Sequence, residues 1–437
     1  MEDNRYITQH IVTGFGKLIN LGVVDISQDA KLKQMLNRAI YYLDARMKED
    51  YKLIKEKHPN NMMDDFLGNI QVQYLYARTY FLDEFPISNS KQDAFHFYTE
   101  QAQKHWLKKD KYMQGMIALA MNRIQHRTLP FEIIRSLKEH ALYSNEMGMY
   151  WRNDAGYYWY EAPIETQALM IEAFDEVTDD KESVEKMKIW LLKQKQTQDW
   201  GTTKATTEAC YALLLRGTDL LASDELVEIQ VGNILIDPEK HRSKVEAGTG
   251  YFKTSWNGEE IKPEMGKVKV TKKDEGVAWG ALYWQYFENL DKITTHETPL
   301  SLKKQLFVKE NTNSGPVIKP ISEGDALEVG DKIKVRIELR VDRDMEYIHL
   351  KDMRASTFEP INVLSGYRYQ DGLGYYESTL DASTDFFIGY LPKGTYIFEY
   401  PLIVSQKGNF SNGISTIQCM YAPEFSSHSE GVRVVVE

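Results

Sequence analysis

The segment Met147–Glu165 holds the densest group of residues with chemical potential in the chain. It crowds Tyr150, Trp151, Tyr157, Tyr158, Trp159 and Tyr160 around Asp154, Glu161 and Glu165. Aromatic faces stack on sugar rings, and two carboxylates at a suitable separation perform acid/base hydrolysis of a glycosidic bond. The same residues also suit an aromatic loop that seals a helical domain. In that case the acids cap helix N-termini, since Glu161 and Glu165 flank Pro163 where first-turn acids favour the helix dipole. Both readings stand on the residues alone. Other catalytic signatures are missing: there is no HExxH, CxxC, P-loop or GxSxG. The ten His are scattered without an i, i+4 pair on one face, so neither a metal site nor a cofactor is expected. Cys210, between Ala209 and a Tyr-Ala-Leu-Leu run, reads as core packing, and Cys419 as a buried strand residue.

These residues need a scaffold, and composition divides it near residue 222. The first 222 residues hold 12 of 16 Met but only 4 of 13 Pro and 9 of 27 Gly. Few breakers suit helices, whereas the Gly- and Pro-rich remainder suits short strands. In the first part Ile7, Ile11, Phe15 and Leu18 step as an apolar stripe facing a core. Ser27 is a candidate cap for a long helix through Leu36, Ile40, Leu43 and Met47. Further helices are expected near 70–81, 90–107, 111–124, 131–143, 163–174, 181–192 and 203–221. Trp106-Leu107-Lys108-Lys109 is echoed 84 residues later by Trp190-Leu191-Leu192-Lys193, about two helical hairpins of ~42 residues. Stacked hairpins of that kind form an open solenoid or a closed α/α toroid.

In the second part Lys332–Leu339 alternates without a fault, as a half-buried strand does. Similar runs fall at 226–236, 267–271, 277–287, 304–308, 347–350, 386–390, 396–404 and 415–421. An antiparallel sandwich follows from them. Residues 310–324 read as a connector. The expected organisation is therefore multidomain α + β: helices over 1–222, a small β segment over 223–300 and a β-sandwich over 301–437.

Charge excludes some roles. The balance of 53 basic and 64 acidic residues gives −11, with no dense Lys/Arg cluster to hold phosphates, so nucleic acid is not an expected partner. No run of eighteen apolar residues exists to span a membrane. Met1-Glu2-Asp3-Asn4 opens no signal peptide.

Several stretches carry a family resemblance: Asn4–Val12, Asp199–Ala209, Asp342–Asp352, Tyr390–Tyr396 and Met420-Tyr421-Ala422-Pro423-Glu424-Phe425. Together they resemble the C-terminal part of a bacterial α2-macroglobulin-like protein across essentially the whole chain. The resemblance implies most of a thioester-type α/α toroid (1–222, its N-terminal part missing), a CUB-like segment (223–300) and the terminal macroglobulin, or MG10, sandwich (301–437). It implies a parent that traps proteases in the periplasm or at the cell surface, where a lipid anchor is one option, and not an enzyme. Partners would be target proteases and the parent's other macroglobulin domains. The family's thioester signature, Cys-x-Glu-Gln, is absent: the two cysteines open Cys210-Tyr-Ala-Leu and Cys419-Met-Tyr-Ala. Met420 and Tyr421 match the segment that helps to shield the toroid in related proteins, so a shielding contact is implied for them. Two other classes remain open: a polysaccharide lyase or glycosidase built as toroid plus sandwich, using the 150–165 residues, and a cell-surface interaction module.

Overall fold

A computed structural model describes residues 4–152, 158–215, 226–238, 240, 244–246, 250–273, 278, 280–313, 315–322, 324–370 and 372–437. Two compact units emerge, residues 1–192 with 200–279, and residues 193–199 with 280–437.

The first unit is built on helices α1 (Arg5–Asn20), α2 (Ala30–Lys57), α3 (Asn69–Thr79), α4 (Gln92–His105), α5 (Lys111–Arg123), α6 (Leu129–Glu139), α7 (Pro163–Thr178), α8 (Lys181–Thr197) and α9 (Thr203–Leu214). Their starts are chemical. Asn4, Asp29, Asp110 and Thr202 each accept a first-turn N–H, and Pro130 and Pro163 occupy first-turn positions. The cap of α2 is thus Asp29 rather than Ser27, whose hydroxyl instead bonds Asp25.

Helices α1, α3, α5, α7 and α9 pack side by side in that order as an inner row. α2 lies on α1 and α3, and α6 on α5 and α7. The row's two ends also meet, because Lys17 of α1 donates to Glu208 of α9 and Asn20 Nδ2 lies 3.1 Å from the Tyr211 hydroxyl. One contiguous core runs through the helices, from Val12 and Leu36 to Trp190 and Tyr211.

Helix α1 overturns the expected stripe. Ile7, Ile11 and Leu18 are exposed, while Gln9, Thr13 and Lys17 are buried with Val12 and Gly16. The inner face of α1 meets polar groups: Gln9 Nε2 donates to Ile70 O at 3.0 Å and Lys17 enters an ion cluster. Of the four stripe residues only Phe15 packs against the core, in part, and the helix buries chiefly its opposite side. Cys210 is likewise exposed, since α9 buries Ala205, Glu208, Ala209, Tyr211 and Ala212 on the other side of its axis. Between α6 and α7 a hairpin of β1 (Leu142–Ser144) and β2 (Gly148–Tyr150) replaces the expected end of a longer helix.

The same unit carries a three-stranded sheet, β3 (Glu228–Val231), β4 (Ile234–Leu235) and β5 (Val268–Thr271), in the order β4-β3-β5. Its core is small: Val231, Ile236 and Met265. The boundary expected near 222 falls on residues 216–225, outside the described ones.

The second unit is a sandwich. One sheet has β11 (Phe358–Pro360), β15 (Gly394–Val404), β9 (Lys332–Val341), β6 (Leu300–Thr312) and β7 (Gly315–Pro320) in that spatial order. The facing sheet runs β12 (Gly366–Gln370), β13 (Leu373–Thr379), β14 (Ser383–Leu391), β10 (Met345–Met353), β17 (Ser415–Cys419) and β18 (Ser426–His428). A smaller sheet joins β16 (Gly408–Asn412), β19 (Val432–Val436) and β8 (Ala326–Leu327). β9 alternates buried and part-exposed residues through Val341, as its sequence required. Leu300, Ile337, Leu350, Phe386, Leu402 and Ile417 pack between the sheets.

Two expectations fail here. Residues 310–324 are not a connector, because β6 and β7 pair from Phe307–Pro320 to Thr312–Gly315. The strand expected over 277–287 is absent from the described residues 280–287, where Leu282, Trp284, Tyr286 and Phe287 are exposed. Among the described residues no strand pairs with that run.

Candidate functional site

The described residues of the aromatic segment occupy different surroundings. Trp151 is a core residue: its indole N–H donates to Leu137 O at 2.8 Å and its ring meets Phe174 edge-on at 5.9 Å. Tyr150 stacks on Trp190, while Tyr158 stacks on Tyr160 and is exposed. Asp154 lies outside the described residues. Glu161 is exposed and accepts the Tyr158 N–H at 3.1 Å. Glu165, one turn later, is buried beside Lys204 (3.9 Å). The two acids therefore serve different surroundings.

Trp159 links this segment to the inner helices. Its ring meets Tyr6 of α1 at 5.1 Å and Tyr112 of α5 at 6.1 Å. Lys204 donates to Trp159 O at 3.2 Å, with Nζ 5.3 Å from the Trp159 and Tyr112 ring centres. Burial raises Glu165 above the ordinary carboxylate range, with Lys204 opposing it. Burial also lowers Lys204, against the pull of Glu165 and Glu208. The two shifts converge, so burial narrows the proton-affinity gap between this acid and this amine.

A larger polar cluster lies between the inner helices, and sequence reading missed it. Glu172 of α7, 1% exposed, accepts from Tyr76 at 2.6 Å, Tyr80, and Arg123 at 2.7 Å, and lies 3.9 Å from Lys17. Arg123 also binds Glu176, and Lys17 binds Glu208. Each inner helix contributes at least one group. Burial alone would raise Glu172, but Lys17, Arg123 and the two phenols overturn that and hold it below its ordinary value. The available signal was the spacing of Gln9, Thr13 and Lys17, a polar stripe along α1. Among the described residues no group of three His, Cys, Asp or Glu is arranged to hold a metal.

The sandwich presents a different feature. After β17 the chain turns through Met420–Glu424 and is tied at its base by Cys419 N–H to Phe425 O (3.0 Å). Met420 and Tyr421 are 56% and 79% exposed, so both project as a tip. The Met420 N–H donates to Tyr347 O at 2.9 Å, and the Tyr347 and Tyr421 rings meet edge-on at 5.1 Å. Cys419 itself is buried, as expected.

Comparison with known proteins bears on this unit. Residues 300–424 match the family described as the bacterial alpha-2-macroglobulin MG10 domain. No curated protein matches the chain in sequence. Among solved structures, Salmonella alpha-2-macroglobulin reacted with methylamine is 12% identical (TM-score 0.32), with 100% of this chain covering 26% of that one. Trypsin-activated alpha-2-macroglobulin from Escherichia coli is 12% identical (TM-score 0.42), with coverages of 100% and 28%. The native Escherichia coli protein from domain MG7 to the C-terminus is 11% identical (TM-score 0.30), with coverages of 100% and 63%. The chain thus spans about a quarter of the length of the first two. The family match thus covers the sandwich: residues 300–424 match the bacterial MG10 domain.

Proposed function

We propose that the chain is the C-terminal part of a bacterial protease-trapping inhibitor. In this reading residues 1–222 are a thioester-domain-like α/α toroid, 223–300 a CUB-like segment and 301–437 the MG10 sandwich. The observation that carries the proposal is the MG10 match over residues 300–424. The inner row of five helices, with α1 joined to α9, supports a ring-like arrangement of hairpins.

This chain holds no Cys-x-Glu-Gln, so its own role is to shield and position rather than to acylate. Met420 and Tyr421 are the shielding contact: an exposed thioether and phenol that cover an apolar rim and exclude water from a reactive acyl group. The partners are target proteases, through the parent, and the parent's other macroglobulin domains. The setting is periplasmic or cell-surface.

Mixing the full-length parent with trypsin tests the reading. Trypsin should lose activity on a large protein substrate and keep it on a small chromogenic peptide. Prior methylamine treatment removes the effect if the parent carries a thioester. Equal loss on both substrates, or none, rejects trapping.

A further inference from the structure

We propose that Tyr347 is the residue that positions the Met420–Tyr421 tip, and that its strained backbone exists for that purpose. The inference rests on the reading of the tip as a contact surface. Among the described residues three non-glycines have positive φ: Gln125, Asp179 and Tyr347. Gln125 follows α5 and Asp179 caps α7, and left-handed residues are routine where helices end. Tyr347, at φ 56°, lies inside β10, a setting where a bulky side chain makes that conformation unfavourable.

The ladder records the consequence. Glu346 pairs with Tyr390 and Ile348 with Ile388 in one register, while Tyr347 and Gly389 opposite it are left unpaired. The Tyr347 carbonyl accepts the Met420 N–H (2.9 Å), continuing the register that sets Ile348 opposite Cys419, and its ring meets Tyr421 edge-on at 86°. A glycine would adopt this backbone angle without strain. It would lack the ring that braces Tyr421. Tyr347 is 54% exposed, so burial in the core does not account for the side chain. Unfavourable backbone held at an exposed aromatic pair fits the pattern of strain stored at functional sites.

The test uses Tyr347→Gly, Tyr347→Phe and Tyr421→Ala in this chain and in the full-length parent. Tyr347→Gly should leave the melting temperature within about 2 °C, strain relief offsetting the lost side chain. A merely structural strand tyrosine would lower it well beyond that. Amide exchange at Met420 should quicken at least tenfold in Tyr347→Gly and stay unchanged in Tyr347→Phe. In the parent, Tyr347→Gly should reproduce the Tyr421→Ala change in methylamine sensitivity and trapping. Unchanged Met420 exchange in Tyr347→Gly overturns the positioning role. So does a Tyr421→Ala effect in the parent that Tyr347→Gly fails to share. If Tyr421→Ala changes nothing in the parent, the shielding reading falls, and the exchange data alone then decide whether Tyr347 sets the tip.

Discussion

Both units bury charge, in opposite styles. In the sandwich, Lys304 of β6 and Asp352 of β10 form a closed pair across the two sheets, with Nζ 2.6 Å from Oδ1. The Lys304 ammonium also donates to Met353 O and Gly413 O, and Asp352 accepts from Ser415 and Tyr400. Every group has its partners and none is shared outward. In the helical unit, Glu172 is shared by Lys17, Arg123, Tyr76 and Tyr80, while Glu176 and Glu208 hold the same cations from other sides. A closed pair fails as a unit, whereas a shared cluster redistributes. The sandwich pair pins two sheets at one point; the helical cluster ties five helices through many.

Breaking the closed pair should have the largest effect. Lys304→Met leaves Asp352 buried without its cation and should cost about 3–5 kcal/mol in urea unfolding. Lys304→Met with Asp352→Leu should recover most of that loss. If the double variant is no better than the single, the pair is not the closed element described.

The shared cluster should yield less. Glu172→Gln keeps an acceptor and leaves Glu208 and Glu176 in place, so about 1–3 kcal/mol is expected at neutral pH. Acid titration sharpens this. Glu172 is depressed in the fold, so its contribution is present above its ordinary value of 4.5 and is lost as pH falls through the folded value. Glu172→Gln should therefore flatten the acid limb of stability against pH.

Glu165, two turns earlier on α7, should behave in the opposite sense. Its carboxyl is raised by burial, so the fold favours the protonated form, and that contribution is lost as pH rises through the folded value. Glu165→Gln should raise neutral-pH stability slightly, by under about 1 kcal/mol. Urea midpoints between pH 3 and 8 for both variants decide it, and equal signs at neutral pH would contradict the contrast.

The smallest effect belongs to α1. Ile11→Glu, on the exposed stripe, should change stability by no more than about 0.5 kcal/mol. A loss of several kcal/mol would mean that Ile11 is buried and that Lys17 faces outward.

Much of the architecture was legible because periodicity is a local property. Residues 332–339 alternate and form β9, and the 111–124 and 163–174 stretches become α5 and α7 with starts fixed by Asp110 and Pro163. The direction each element faces is not local. Helix α1 carries both an apolar and a polar stripe, and only the Glu172 and Glu208 carboxylates waiting inside decide which one turns inward. The site followed the same division. Met420 and Tyr421 were found through their resemblance to a family segment and prove exposed. Tyr347 lies in a stretch that resembles the family and reads as a strand, but its backbone angle is something a tyrosine does not advertise. In the aromatic segment at 150–165, Trp151 packs in the core and Glu161 accepts a turn N–H, which composition alone does not reveal.

The bond between Lys17 and Glu208 joins residues 191 apart, and this separation bears on synthesis. A ribosome adding about 5–20 residues per second needs roughly 10–40 s to make the second after the first. Through that interval the ammonium of α1 has no Glu208 to meet, so the nascent helix cannot close the row on which its inner face depends. The helical unit is therefore obliged to finish late, after α9 emerges, and until then nothing in the row fixes which face of α1 is the inner one.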